Sequence, residues 1–242
     1  MRAYNRLLIF TSLIASVNVA FAQREDPLQV FSQLKQLEQS QAKPQQRRSR
    51  TILIDLEDFV DSNQAEALLA GERSIQISIQ NETSLLNQLT RNDVKVSGPM
   101  CVEFINENIA MHMKLAGVAY TNCLNTADER VFSELAKIPT VQSTTFTREK
   151  YNDLSLLGSF RGGNIFIDPV TIRNKLSSKL QNRSNLPTVQ ADTTTNLKTV
   201  FNEVISKIRT CMTHAQTQLA GNLDFTRQQV KAICAGKNSN QV

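Results

Sequence analysis

The chain reads as a mainly α protein built on a disulfide-stapled antiparallel helical hairpin or bundle, with a Ser/Thr-rich irregular insert. Three observations predict this. Only eight glycines and six prolines serve 242 residues, and tryptophan is absent; strand-rich folds of this size need more turn residues and more aromatics. Two long stretches carry apolar residues at steps of three and four, the signature of a buried helix face. The four cysteines fall in pairs on those two stripes, Cys101 and Cys123 on the first, Cys211 and Cys234 on the second.

The first twenty-two residues, MRAYNRLLIFTSLIASVNVAFA, have the layout of a secretory signal. Arg2 and Arg6 precede an apolar core, and Ala20-Phe21-Ala22 places small residues where signal peptidase reads them, so cleavage is expected after Ala22. The core is short for a bilayer span, and no later stretch approaches the ~20 continuous apolar residues of a membrane helix. The product is expected to be secreted and extracellular.

Residues 23–50 form a basic, Gln-rich leader. Asp26-Pro27 suits a helix start, and Leu28, Phe31, Leu34 and Leu37 recur as one short amphipathic face. The face runs into QSQAKPQQRRSR, a composition that favours a solvated linker. Arg47-Arg48-Ser49-Arg50 also matches the basic spacing that secretory-pathway convertases accept, so a propeptide released after Arg50 is the competing expectation. Six of the basic residues lie here against three acidic ones, whereas residues 51–242 hold nineteen of each. The net charge of +5 is therefore local to the first fifty residues. Without a basic stripe on the body, nucleic acid is excluded as a partner.

The body, residues 51–242, is expected to be a single helical domain. Residues 52–70 read as a helix, interrupted at Asp61-Ser62-Asn63 and stopped by Gly71. IQISI at 75–79 fits a strand and a helix equally. The first clear helix covers 100–138, its stripe running Cys101, Ile105, Ile109, Met113, Ala116, Tyr120, Cys123, Ala127, Val131, Leu135. Residues 139–193 are poorer in apolar residues and form the insert, within which Asp168-Pro169 can start a short helix through Leu180. Gly162-Gly163 is a turn without the Lys-Ser/Thr of a phosphate loop. The second clear helix starts near Thr194 with the stripe Leu197, Phe201, Val204, Ile208, Cys211, Ala215, and a pause is expected at Ala220-Gly221-Asn222.

In an oxidising compartment an even cysteine count means bridges first. A helix from 101 to 123 holds its ends about 33 Å apart, whereas a disulfide needs Cα atoms within about 7 Å. Cys101 therefore cannot reach Cys123, and two pairings remain. Cys101–Cys234 with Cys123–Cys211 makes the helices antiparallel and sets Ala127, Val131 and Leu135 beside Ile208, Val204 and Phe201. The parallel alternative, Cys101–Cys211 with Cys123–Cys234, would set them beside the polar tail AGKNSNQV. Burial favours the first.

The usual catalytic sets are missing. Nucleophilic triads need a positioned base, yet His112 and His214 are the only histidines, about 12 Å apart along the hairpin in the antiparallel register. Both read as surface or packed side chains. No Cys-x2-Cys or His-x3-His occurs, so no metal or cofactor is expected. DLED at 55–58 and Asp128-Glu129 read as solvated charge pairs, and Met111 and Met113 as packing. Two sequons, Asn81-Glu82-Thr83 and Asn182-Arg183-Ser184, are candidate glycosylation sites.

Cys101-Val102, Ile105 and Ile109, followed by Tyr120-x2-Cys123-Leu124 and Ala127, resemble the cysteine-bearing domain of the tsetse midgut EP-repeat (TsetseEP-type) proteins, a family of secreted fly proteins. The likeness covers about thirty residues well and the Cys211–Cys234 region loosely. It implies an extracellular insect protein, helical and disulfide-bonded, with no known enzymatic activity. The functional expectation is a protein that binds an extracellular partner or serves as a structural constituent. The alternative is a carrier for a small apolar ligand held between helices.

Overall fold

A computed structural model describes residues 27–41, 53–90, 99–142, 146–181 and 186–234. After a helical turn at 27–29, the elements are α1 (Ser32–Gln41), β1 (Leu53–Asp55), α2 (Leu56–Thr90), α3 (Pro99–Leu135), α4 (Pro139–Gln142), α5 (Arg148–Leu154), a 3₁₀ turn (Leu157–Phe160), α6 (Pro169–Gln181), β2 (Thr188–Gln190) and α7 (Ala191–Ile233). The protein is mainly α, and among the described residues no helix is long and apolar enough to cross a membrane.

Three long helices make the frame. The antiparallel cysteine pairing holds: Cys101 bonds Cys234 and Cys123 bonds Cys211, with Cα separations of 5.7 and 5.9 Å. Helices α3 and α7 are thus joined at two levels. Helix α7 also packs along α2, and α2 and α3 touch each other sparingly, so α7 is the central member. Phe59 meets Phe201 edge-on at 6.0 Å, and Gly71 lies against Met212, which makes α2 and α7 parallel. Both spring from the same antiparallel ribbon, in which Ile54 pairs with Val189. The core runs the length of the bundle through Val60, Leu68, Ile75, Ile109, Met113, Leu124, Val131, Phe201, Val204, Ile208, Met212 and Leu219, all nearly free of solvent.

Several expected interruptions do not occur. Asp55 begins α2 by accepting hydrogen bonds from the backbone N–H groups of Glu57 (3.0 Å) and Asp58 (3.3 Å), a side-chain cap at the helix start. The helix then passes without a break through 61–63, Gly71 and the ambiguous 75–79. Gly71 is no stop signal: a Cβ there would stand 2.3 Å from Met212 Sδ, so its missing side chain admits α7. Similarly, α7 runs unbroken past Gly221. Packing along the whole length outweighs the roughly 1 kcal/mol that one glycine costs a helix.

The leader helix and the insert share this core. Val30, Phe31 and Leu34 of the leader are fully buried, and Lys35 pairs with Glu72 at 2.6 Å. Gln29 and Gln33 accept hydrogen bonds from Arg173 and Ser177 of α6. The insert consists of short pieces rather than one long element, yet it supplies Tyr151, Leu154, Leu156, Leu157, Phe160, Ile165, Ile172 and Leu176 to the buried set. Gly162, at φ +70°, makes the turn that returns it toward α3.

Candidate functional site

The insert docks along one flank of α3, and two features of that docking concern function. One is a buried polar hub that fixes the insert. The other is a groove between α3 and the segment 166–171.

Asp128 is the centre of the hub, and it overturns the reading of Asp128-Glu129 as a solvated pair, because its side chain is fully buried. It accepts hydrogen bonds from Tyr151 Oη (2.7 Å), Arg161 Nη2 (2.7 Å) and Ser155 Oγ. Gln64 of α2 completes the network, its Oε1 accepting from Leu156 N at 2.6 Å and its Nε2 donating to Tyr151 Oη at 3.3 Å. Glu129, on the solvent side, takes a two-pronged contact from Arg148 (2.8 and 2.5 Å) and a third from Arg161 at 3.2 Å. The Arg148 guanidinium lies over the Phe132 ring, 4.5 Å from its centre. A buried carboxylate is tolerated only when paired and hydrogen-bonded, and both conditions are met.

Burial raises the Tyr151 phenol well above 10.0, and the Asp128 carboxylate raises it further. Burial likewise lowers Lys179 from 10.5 to about 8. Its amine donates to the carbonyls of Asn152 (2.5 Å) and Ser155 (2.7 Å), tying α6 to the end of α5. Each polar group of the hub is engaged by another, and Ser155 is fully buried. The hub positions the insert; its serine faces no cleft.

The second anchor is Asn164. Its Nδ2 donates to Lys114 O (2.8 Å), and its Oδ1 accepts from Phe166 N (3.0 Å). Gly117 makes room for it, since a Cβ there would stand 2.0 Å from Asn164 Oδ1. Thr121 donates to Gly163 O at 2.8 Å, and Tyr120 meets the Phe166 ring at 5.9 Å. Tyr120 is itself held inside the bundle by Ser78 at 2.6 Å, and burial pushes its phenol up to about 12.

These anchors create a groove of about 750 Å³, open to solvent. Ala110, Met111, Met113 and Lys114 form one side, and residues 166–171 form the other. Met113 is buried as expected, whereas Met111 is 48% exposed, so only one of the pair is core. Ile167 and Val170 are also exposed on the far side. The lining suits an apolar surface with one cation, Lys114, and one anion, Asp168. A smaller groove of about 400 Å³ lies between the end of α3 and the start of α7.

The other sequence-predicted positions are dispersed. Asn81 is half-buried in the last third of α2; Asn182, Ala22 and Arg50 lie outside the described residues. His112 is half-buried on α3, burial lowers its pKa, and its Nδ1 has no hydrogen-bond partner among the described residues. His214 is exposed on α7. Glu57, in the DLED stretch, is buried and accepts from Leu186 N at 3.4 Å. Among the described residues no three His, Cys, Asp or Glu side chains gather in a metal-binding cluster. No protein-family model, curated protein or solved structure matches the chain.

Proposed function

We propose that the protein is exported and acts outside the cell by non-covalent binding or as a structural constituent, without catalysing a reaction. The observation that carries this reading is the engagement of all four cysteines in two bridges across α3 and α7. Structural disulfides form and persist in oxidising compartments. The signal-like N-terminus and the likeness to secreted fly proteins support the same destination, and glycans on Asn81 and Asn182 belong to the same proposal. The test is expression of the full chain through a secretory route. Secreted product, a shift on deglycosylation and unreduced peptides linking 101 to 234 and 123 to 211 are expected. Retention inside the cell, or free thiols in the folded product, would refute it.

The groove favours a second reading, a carrier for a small apolar ligand. Its volume lies within the range of small-molecule sites, about 300–1,000 Å³. Native mass spectrometry of the secreted protein should then reveal an apolar adduct that Ile167→Asp removes.

A further inference from the structure

The outer face of α3 is apolar where a helix in a monomer should be polar. Met100, Met111, Leu115 and Val118 are 82%, 48%, 55% and 45% exposed. At 100° per residue they fall within an arc of about 60°, a second stripe facing away from α7. Ile167 and Val170 stand across the groove beside it. Six of the nine large hydrophobic side chains exposed among the described residues therefore lie on this stripe or across the groove from Met111. Scattered exposed apolar residues need no explanation, but a contiguous patch does.

From this surface we infer that the protein forms a two-fold dimer through α3, each copy placing its Met111 against the groove of the other. This names a partner for the binding reading and rests on it. Charge selects a second copy. Glu107 and Lys114 flank the stripe seven residues apart, and neither has an ion-pair partner among the described residues. Two α3 helices crossing antiparallel about a two-fold axis near Met111 bring Glu107 of each within a turn of Lys114 of the other. They also bring Val118 of each to Phe104 of the other. A surface that matches itself under a two-fold rotation is what an isologous interface requires. An anionic membrane fits poorly, because exposed Glu103 and Glu107 and the groove's Asp168 outnumber Lys114. The stripe is about 27 Å long.

Sedimentation equilibrium of the secreted, fully oxidised chain between about 1 and 200 μM tests the inference. Wild type should approach twice the monomer mass. Met111→Glu and Leu115→Glu should each weaken association by about tenfold or more, with melting temperatures unchanged at concentrations where wild type is monomeric, because both side chains are exposed. Glu107→Lys and Lys114→Glu should each weaken it several-fold, and the double exchange should regain most of the loss. Phe225→Glu, an equally exposed site on α7, should have no effect. A monomer throughout the range overturns the inference, as does a dimer indifferent to Met111→Glu, or a double exchange that restores nothing. A monomer that is still exported with both bridges leaves the binding reading standing.

Discussion

The same substitution, glycine to alanine, should have opposite signs at two positions inside long helices of this protein. In a helix interior alanine is favoured over glycine by about 1 kcal/mol through backbone entropy. At Gly221 a new Cβ meets nothing within 4 Å, so that gain is realised in full. At Gly117 the Cβ would stand 2.0, 2.5 and 2.7 Å from Asn164 Oδ1, Cγ and Nδ2, and Asn164 must leave. Its departure breaks the bonds to Lys114 O and from Phe166 N. At about 1–2 kcal/mol for each partner left unpaired, the loss of about 2–4 outweighs the helical gain. Gly117→Ala is therefore expected to destabilise by about 1–3 kcal/mol and Gly221→Ala to stabilise by up to about 1. With about 2–4 °C per kcal/mol for a domain of this size, the melting temperatures should move in opposite directions by several degrees. Circular dichroism melts and urea midpoints are the assay. In an Asn164→Ala background the obstruction is gone, so adding Gly117→Ala should then stabilise. If Gly117→Ala is neutral or stabilising in the wild type, or destabilises equally without Asn164, the account of insert docking fails.

Three further outcomes follow from the hub and the bridges. Asp128→Ala should cost about 3–5 kcal/mol, the range for removing one partner of a buried ion pair, and should raise protease sensitivity within residues 146–181. Replacing Cys123 and Cys211 together by serine opens an 88-residue loop that the outer bond still partly constrains, for a cost of about 3–4 kcal/mol in the chain-entropy account. Replacing Cys101 and Cys234 should cost about as much or slightly more, because the bond left behind closes the shorter of the two loops. Stability should also rise between pH 8 and 10. Lys179 gives up its proton near 8 when folded and near 10.5 when unfolded, so the unfolded state holds more protons in that window. Above pH 10 the trend should reverse, since the unfolded phenols ionise while buried Tyr120 and Tyr151 stay protonated. Lys179→Met should abolish the rising limb in rapid denaturant titrations.

The bundle was legible because its determinants are periodic. The stripes of α3 and α7, and the impossibility of a bridge along one helix, lead to the observed pairing from residue spacing. Glycine misled where a local preference met a long-range contact: Gly71 reads as a stop from its neighbours in sequence, but Met212 of a distant helix decides its role. The polar hub was hidden for a similar reason. Gln64, Asp128, Tyr151, Ser155 and Arg161 lie far apart in the chain and follow no common period. A trace of it exists in LSLLGSF at 154–160, where apolar residues crowd a stretch otherwise rich in polar ones, and in Thr147, whose hydroxyl caps α5. The outer stripe of α3 was masked by the inner one, since a single helix with apolar residues on two faces reads as one broad apolar run.

The two bridges also sort the chain by what a single cut can release. The 101–234 bond encloses the 123–211 bond, so one cleavage anywhere between Cys101 and Cys234 leaves a single covalent molecule. The insert, with its turns at the surface, lies wholly inside that span. A cut before Cys101 is different, because α1 and α2 carry no cysteine and remain attached only by their packing. In a fluid rich in proteases, the same nick would thus be harmless on one side of residue 101 and separable on the other. Nicked forms would keep their mass until a reductant is added.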